Sequence, residues 1–295
     1  MPTINCKNLR KSYRVGTADI HALDGVDFDI NQGEFVVIVG PSGSGKTTLL
    51  NILGGMDTPT SGDCFVGETN IATFKPKELT EYRRSDVGFV FQFYNLMPNL
   101  TALENVELSV EISKNPLSPQ EVLQQVGLTE RAKNFPSQLS GGEQQRVSIA
   151  RSVAKNSALI LCDEPTGALD YETGKKILKL LHDISRTRIR AYNFDLSQKP
   201  KKLLADYNRL LGKKIIGNID NIICDGQTID QSHIGLLIKN RISAIATHTT
   251  PQTIILVTHN SALKGMADKV LFMKNGRIEK VELNENPVPI EEIDW

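Results

Sequence analysis

Residues 34–50 read EFVVIVGPSGSGKTTLL, and their pattern is the strongest structural signal in the chain. It opens with a short β-branched and aromatic run, as a strand buried on both faces requires. A glycine-rich loop (40–45) follows directly, and residues 48–53 have the apolar character of a helix. In such a loop consecutive N–H groups can point at phosphate oxygens, and the positive end of the helix adds to the attraction. The stretch therefore predicts a phosphate-binding loop between a strand and a helix.

The charged and hydroxyl residues of this loop suit a nucleotide. In the pattern Gly40-x4-Gly45-Lys46-Thr47, the Lys46 ammonium can neutralise β- and γ-phosphates and the Thr47 hydroxyl can ligate Mg²⁺. A glycine-rich turn that binds nothing is the alternative. The position between a buried strand and a helix favours nucleotide binding.

Two further buried apolar runs are each followed by polar residues that could take part in a reaction. Residues 158–162 end in Asp163-Glu164, and residues 253–257 end in Thr258-His259. A carboxylate at the end of a strand can hold Mg²⁺ through its ligand shell, and the next one can polarise water. Alone, such an acid pair is more often a solvated turn, but a phosphate-binding loop in the same sheet favours the metal interpretation.

Strands alternate with helices along most of the chain. Two strand-like segments (3–9 and 26–30) precede the loop, a helix is expected over 171–185, and a β-hairpin is expected with its turn at Asn275-Gly276. This alternation predicts an α/β fold with a mostly parallel, doubly wound sheet.

The stretch LSGGEQQR (139–146) resembles the signature motif of the ATP-binding-cassette (ABC) ATPases. The resemblance covers about 1–186 and 251–283. The stretches 88–106 and 161–170 are also similar to the lipoprotein-release and macrolide-export type ATPases of that family, although cell-division and peptide-efflux ATPases share much of them.

The resemblance implies a P-loop NTPase fold of the ABC type. Such a fold has a mostly parallel core sheet, N-terminal antiparallel strands and a helical signature subdomain, here at about 93–146. It also implies ATP and Mg²⁺ as cofactors and ATP hydrolysis as the activity.

Site residues follow from the same resemblance. Glu164 is expected to act as general base or to orient the attacking water, His259 to reach the γ-phosphate, and Gln92 to contact Mg²⁺ and the water. Tyr13 lies where the family places an aromatic ring under adenine. With Lys46, these expectations give the catalytic set Glu164, His259, Gln92 and Lys46, and the metal set Thr47, Gln92 and Asp163. The nucleotide-binding set is Tyr13, Gly40, Ser42, Gly43, Ser44, Gly45, Lys46, Thr47, Thr48, Ser140, Gly141, Gly142 and Asp170.

Partners are implied as well. In the family the signature residues 140–142 serve the nucleotide of the opposite protomer, so the chain is expected to form a homodimer in the ATP-bound state, with Asp170 at the seam. Residues 93–98 are either core or the contact for an integral membrane permease. We expect an ATP-hydrolysing subunit that powers a separate permease; the alternative is a regulatory ABC ATPase of the cell-division type. No nucleic-acid partner is expected, because the spacing from 40 to 139 leaves no room for a coiled coil.

Composition agrees with a soluble globular protein. The 295 residues carry 34 Lys+Arg and 34 Asp+Glu, and 40% are hydrophobic, which excludes a disordered or fibrous chain. No apolar run approaches the roughly 18 residues that span a bilayer, and the N-terminus lacks the apolar region of a secretory signal. The four cysteines show no Cys-x-x-Cys pair. We therefore expect a cytoplasmic protein, held at the inner face of the membrane through its permease.

Residues 187–250 differ from the rest of the chain. They contain ten Lys+Arg, five Asp and no Glu, so this segment carries +5 and the remainder −5. Glu164 and His259 are 95 residues apart, whereas the family separates them by one helix and one strand. The segment is thus an insertion, expected at the sheet edge opposite the nucleotide. It is a binding module for an acidic partner or lipid headgroups, a functionally idle insertion, or one that impairs activity. A short amphipathic helix is predicted within 199–212 and short strands within 213–245.

The predicted organisation is therefore an ABC ATPase domain of residues 1–186 and 251–283, an insertion of 187–250 and an acidic tail of 284–295. The tail contains Glu285, Glu291, Glu292 and Asp294 and is expected to be exposed and loosely ordered.

Overall fold

The structure is a computed structural model that describes residues 4–113, 116–187, 189–194, 196–219, 222–248 and 251–293. The chain divides into two compact units. The first unit comprises Met1–Ser185 and Gln252–Trp295, and the inserted unit comprises Arg186–Pro251.

Strands and helices alternate along the described residues. The strands are β1 (Ile4–Val15), β2 (Ala18–Ile30), β3 (Phe35–Val39), β4 (Ser61–Val66), β5 (Thr69–Asn70), β6 (Val87–Phe91), β7 (Leu159–Asp163), β8 (Ile189–Asn193), β9 (Ile215–Ile216), β10 (Ala244–His248), β11 (Thr253–Thr258), β12 (Lys269–Lys274) and β13 (Arg277–Leu283). The helices are α1 (Lys46–Leu53), α2 (Pro76–Ser85), α3 (Ala102–Glu111), α4 (Pro119–Gln125), α5 (Gly141–Ala154), α6 (Tyr171–Arg186), α7 (Pro200–Asn208) and α8 (Gln231–Lys239). Short 3₁₀ helices span Ile71–Thr73, Thr129–Arg131, Pro136–Gln138, Ser261–Met266 and Ile290–Glu292.

The main sheet of the first unit has six strands in the order β13-β12-β3-β11-β7-β6. All neighbouring pairs are parallel except β12–β13. Because the carboxyl ends of parallel strands meet at one edge, β3, β7 and β11 bring the glycine-rich loop, the acid pair and His259 to the same edge. The predicted mostly parallel α/β fold is confirmed.

Side-chain alternation along β3 builds a core on both faces of this sheet. Phe35, Val37 and Val39 belong to a hydrophobic cluster that includes residues of α5 and α6. Val36 and Ile38 point to the opposite face and join a cluster that includes residues of α1, β1 and β2. Burial on both faces explains why this strand reads as an unbroken apolar run.

The other predicted features of the fold are also present in the first unit. A second sheet is antiparallel, in the order β2-β1-β4-β5, and Cys6 and Cys64 face one another across it as free thiols with their Sγ atoms 3.3 Å apart. Helices α3 to α5 form the helical region between β6 and β7. The β12–β13 turn has positive φ at Asn275 (49°) and Gly276 (74°), as a two-residue hairpin turn requires.

The inserted unit has a hydrophobic core of its own. A three-stranded antiparallel sheet, β8-β10-β9, accompanies α7 and α8. The Phe194 and Tyr207 rings stack with centroids 4.1 Å apart, and the Tyr207 hydroxyl donates to the carbonyl of Ile242. The buried core residues are Phe194, Tyr207, Leu210, Ile215, Ile223, Ile229, Ile234, Leu237 and Ile245. Residues 186–251 therefore form a folded unit, and helix α7 lies inside the predicted helical range.

The acidic tail differs from its prediction. Glu285, Glu291 and Glu292 are exposed, as expected, but Ile290 and Ile293 are buried in the core cluster that contains α6. The expectation of a loosely ordered tail is therefore wrong for the described residues. Val288 N–H donates to the Gly265 carbonyl at 2.8 Å, which ties the tail to the 3₁₀ helix after His259. Hydrophobic burial of two isoleucines outweighs the charge of this segment. Asp294 lies outside the described residues.

Within the described ranges, no helix is both long and apolar enough to cross a membrane.

Candidate nucleotide-binding site

The loop between β3 and α1 requires glycine at several positions. Gly43 and Gly45 have φ of 75° and 99°, in the left-handed region that other residues rarely adopt. A Cβ on Gly40 would lie 2.1 Å from the Met273 carbonyl oxygen, and one on Gly45 would lie 2.3 Å from the Ala22 carbonyl oxygen. The loop is therefore locked between β12 and β2, with its amides presented at the start of α1.

Lys46 and Ser44 place hydrogen-bond donors in this loop that are available to a ligand. Lys46 Nζ donates to the carbonyls of Gly40 (2.7 Å) and Pro41 (2.9 Å), and burial lowers its pKa against the opposing effect of Glu164 and Asp163. The buried Ser44 hydroxyl has no hydrogen-bond partner. The Lys46 ammonium could exchange its carbonyl partners for phosphate oxygens. The Ser44 hydroxyl, which has no partner, could donate a hydrogen bond to a phosphate as well.

Thr47 and Asp163 lie together, as the metal prediction requires. Thr47 Oγ1 donates to Asp163 Oδ1 at 3.5 Å. Burial and the neighbouring Glu164 charge raise the pKa of Asp163, so a cation beside it would be favourable. Among the described residues no cluster of three or more His, Cys, Asp or Glu is assembled. Mg²⁺ commonly takes one or two protein oxygens and completes its shell with phosphates and water, so this pair fits Mg²⁺ bound together with a nucleotide.

Glu164 and His259 meet, although 95 residues separate them in sequence. Glu164 Oε1 accepts hydrogen bonds from the His259 backbone N–H (3.0 Å) and lies 3.0 Å from His259 Nδ1. Glu164 has a φ of 48°, and its N–H donates to the Val257 carbonyl at 3.0 Å. A non-glycine residue in this conformation stores strain that the neighbouring strands must offset. The His259 side chain is 75% exposed, so its ring can reach a ligand.

These residues surround a cavity of about 380 Å³. Its lining contains the predicted loop residues 42–48 with Asp163, Glu164 and His259. It also contains Ile20, His21 and Ala22 from β2, which the sequence analysis missed. The sequence predicted a strand only at 26–30, whereas β2 begins at Ala18, so these three residues lie before the predicted strand. Which of them face the cavity depends on the pairing of β2 with β1.

Gln92 follows β6 but does not line this cavity. Phe91 pairs with Asp163 across β6 and β7, and a Cβ on Gly167 would lie 2.9 Å from Gln92 Nε2. Gln92 Nε2 thus lies beside the turn after Glu164.

Gln145 connects two segments next to the site, and the sequence did not indicate this role. It is fully buried on α5, and its Nε2 donates to the carbonyls of Phe91 (3.3 Å) and Pro165 (2.7 Å). It therefore joins the strand end before Gln92 to the turn after Glu164. The available signal was a polar residue on the same helix face as buried Ile149 and Val153.

The signature residues lie apart from the cavity. Ser140 caps α5, since its Oγ accepts from Glu143 N–H at 3.3 Å and its own N–H donates to Glu143 Oε2 at 2.8 Å. Asp170 Oδ1 accepts from Thr173 N–H at 3.0 Å, and this backbone hydrogen bond lowers the Asp170 pKa. Gly141, Gly142 and Asp170 are all described, and none of them lines the cavity. Tyr13 is also outside the lining, but its strand partner Ile20 is part of it.

The strand order and this loop define a P-loop nucleotide-binding protein. A family profile described as ABC transporter matches residues 23–167. The chain is 48% identical over 191 residues to the uncharacterized ABC transporter ATP-binding protein MJ0796 of Methanocaldococcus jannaschii, covering 62% of this chain and 81% of the relative. The chain therefore belongs to the ABC transporter ATP-binding family, as its signature motif indicated.

Other similarities agree with this assignment. A dimeric, post-hydrolysis structure of the MJ0796 cassette bound to ADP and Pi aligns with a TM-score of 0.67 at 33% identity, over 96% of this chain and 99% of that one. A putative ABC transporter ATP-binding protein of Mycoplasma pneumoniae, the MG065 homolog, is 36% identical over 99% of this chain and 50% of its own length. The macrolide export ATP-binding/permease protein MacB of Shigella sonnei is 45% identical over 62% of this chain and 29% of its own. The chain thus spans about half the length of the Mycoplasma relative.

Proposed function

We propose that this chain binds Mg²⁺-ATP in the 380 Å³ cavity and hydrolyses it to power a membrane permease of the macrolide-export or lipoprotein-release type. The observation that carries the proposal is the meeting of Glu164 and His259 beside the Lys46 loop. Similarity to MJ0796, whose cassette was solved with ADP and Pi, supports the reaction.

Each cavity residue has a role that its contacts support. Lys46 exchanges the Gly40 and Pro41 carbonyls for phosphate oxygens, and the loop amides bind the remaining phosphate charge. Thr47 and Asp163 would hold Mg²⁺, which supplies charge neutralisation of the phosphates when bound; Gln92 stays a proposed third ligand. Glu164 accepts a proton from the attacking water or orients it, and the exposed His259 ring contacts the γ-phosphate.

We propose that a homodimer completes the site. Ser140, Gly141 and Gly142 offer a hydroxyl and helix N-terminal amides that suit a γ-phosphate. Since they lie apart from the cavity of their own chain, they would serve the nucleotide of a second copy, with Asp170 at the seam. The dimeric state of the MJ0796 cassette supports this arrangement.

The permease contact is proposed for the exposed apolar residues after Gln92. Phe93 is 73% exposed and Met97 49% exposed, so these two neighbouring apolar side chains are accessible to a partner. Similarity to MacB, named as an ATP-binding/permease protein, supports a permease as the partner, and it would hold the chain at the inner face of the membrane.

Glu164→Gln tests the assigned base. We expect ATP hydrolysis to fall by about 100-fold or more while ATP stays bound, because the amide cannot accept the water's proton. The trapped ATP should hold a dimer, measured by light scattering with and without ATP.

Glu111→Gln is the matched control, since this exposed helix residue lies outside the cavity. It should hydrolyse ATP as the unaltered chain does. Hydrolysis by Glu164→Gln at the unaltered rate would mean that another group activates the water.

A further inference from the structure

The Tyr13 ring is fixed by a carboxylate from another part of the chain. Tyr13 Oη on β1 donates to Asp57 Oδ2 at 2.6 Å, and Asp57 lies in the loop between α1 and β4. The Thr48 side chain, which directly follows Thr47 in α1, is close enough to the Tyr13 hydroxyl to lower its pKa against the effect of burial. The tip of the ring is therefore anchored next to the nucleotide cavity.

Lys11 contacts both the Asp57 carboxylate and the face of the Tyr13 ring. Its Nζ donates to Asp57 Oδ1 at 2.5 Å and to the Thr58 carbonyl at 2.7 Å. The same ammonium lies 4.9 Å from the centroid of the Tyr13 ring. One face of the ring is thus occupied by a cation, and only the other face remains for a ligand.

The Asp57 carboxylate is held in its charged, accepting form. Burial would raise its pKa, but the hydrogen bonds from Lys11, Tyr13 and the Thr58 N–H together bring the Asp57 pKa below its usual value. Burial, with the Asp57 hydrogen bond, raises the pKa of Tyr13, so its hydroxyl stays a donor. Three donors on one carboxylate leave it little freedom to rotate away from the ring.

The anchored ring lies at the margin of the cavity. Tyr13 pairs with Ile20 across β1 and β2, and Ile20 lines the cavity. Triphosphate bound in the loop at 42–48 would leave its base to emerge along this margin.

We propose that Asp57 and Lys11 are positioning residues that orient the Tyr13 ring as the stacking surface for the base of the nucleotide, and thereby favour purine over pyrimidine nucleotides. A cation on the far face fixes the ring and draws electron density from it, which strengthens stacking with the larger purine surface. This inference rests on the proposed function, because it requires a nucleotide in the cavity.

The test uses variants that keep the ring. Asp57→Leu removes the acceptor at similar volume, Tyr13→Phe removes the hydroxyl, and Lys11→Met removes the cation. Binding of ATP, CTP and inorganic tripolyphosphate, each with Mg²⁺, is measured by calorimetry. We expect the ATP dissociation constant to rise about 5- to 20-fold in each variant, since stacking of a base on an aromatic ring accounts for about that much. Tripolyphosphate binding should change less than about two-fold, and the preference for ATP over CTP should fall.

Lys7→Met and Asp63→Asn are matched controls, because both residues are exposed on the same antiparallel sheet and pair with each other across β1 and β4. They should bind all three ligands as the unaltered chain does. Unchanged ATP affinity in both Asp57→Leu and Tyr13→Phe would overturn the inference. Equal losses of ATP and tripolyphosphate would also overturn it, since the effect would then be on the loop. An unaltered chain that binds neither ATP nor tripolyphosphate would instead overturn the proposed function itself.

Discussion

The two signature glycines lie close against side chains of their own chain. A Cβ on Gly141 would lie 2.7 Å from the Tyr94 hydroxyl, and one on Gly142 would lie 2.3 Å from Thr173 Cγ2. Neither glycine has a positive φ, so close approach rather than backbone conformation excludes a side chain. The start of α5 therefore sits directly against the first turn of α6, the helix that Asp170 precedes.

Gly142→Ala should destabilise the fold by roughly 1–3 kcal/mol, because the new methyl group overpacks a contact that has no spare room. Urea unfolding measures the change. Thr173→Ser removes the clashing Cγ2, so the double variant Gly142→Ala with Thr173→Ser should recover most of the loss. A Gly142→Ala chain as stable as the unaltered one would show that α5 and α6 can separate without cost.

The C-terminal segment after β13 contacts both the 3₁₀ helix that follows His259 and helix α6. Asn284 Nδ2 donates to the carbonyls of Lys264 and Ala267, in and just after the 3₁₀ helix that follows His259. Farther on, Ile293 packs in the core with α6, and its carbonyl accepts from the Tyr171 hydroxyl at 3.4 Å. The segment thus spans from the histidine side of the site to the helix that begins after Asp170.

Ile290→Ala and Ile293→Ala should each lower the free energy of unfolding by roughly 2–4 kcal/mol, since both remove buried methyl groups and leave a cavity. Leu283→Ala is the control: this side chain is 69% exposed, and its loss should change stability by less than about 0.5 kcal/mol. Chemical denaturation compares the three. Equal changes in the free energy of unfolding for all three variants would mean that Ile290 and Ile293 are not packed in the core.

The sequence predicted those elements whose signal is local. The buried runs of β3, β7 and β11 and the loop after Val39 are each contained in a few consecutive residues, so composition and spacing identify them. The family order then identified Glu164 and His259 separately, and the structure brings the two side chains within hydrogen-bonding distance.

Contacts between distant segments were not predictable in the same way. Tyr13 was identified, but nothing in the neighbourhood of Asp57 indicates a bond to a residue 44 positions earlier. Likewise β8 pairs with β10 across some fifty intervening residues, and neither strand specifies its partner through alternation alone. Gln92 Nε2 lies next to Gly167, 75 positions later in the chain, and no spacing rule indicates that proximity.

The whole chain contains two units with separate hydrophobic cores. The core cluster of the inserted unit lies entirely within Arg186–Pro251, and the two clusters of the first unit lie entirely outside it. Stability of the first unit should therefore not depend on the inserted one. A self-contained core shows that the insertion is folded, whether it acts as a binding module or is functionally idle.

Replacing 187–250 with a short Gly-Ser linker should leave ATP hydrolysis within about two-fold of the full chain, because shortening a connecting loop changes closure entropy by only a fraction of a kcal/mol per doubling of length. Hydrolysis and transport are both measured on the shortened chain. Unchanged hydrolysis with lost transport would indicate a binding module, and unchanged values for both would indicate an idle one. Hydrolysis that rises well above that of the full chain would contradict the prediction and identify an impairing insertion.

Strand β11 lies between β3 and β7, yet it follows the inserted unit in the chain. During synthesis β3 on one side, and β7 with β6 on the other, must therefore wait for the strand between them while the 66 residues of the inserted unit are made. At about 5–20 residues per second that wait lasts several seconds, long enough for a small unit with its own core to fold. Strand β11 therefore emerges after a unit that has had time to fold, and the nucleotide cavity can form only once β11 has joined the sheet.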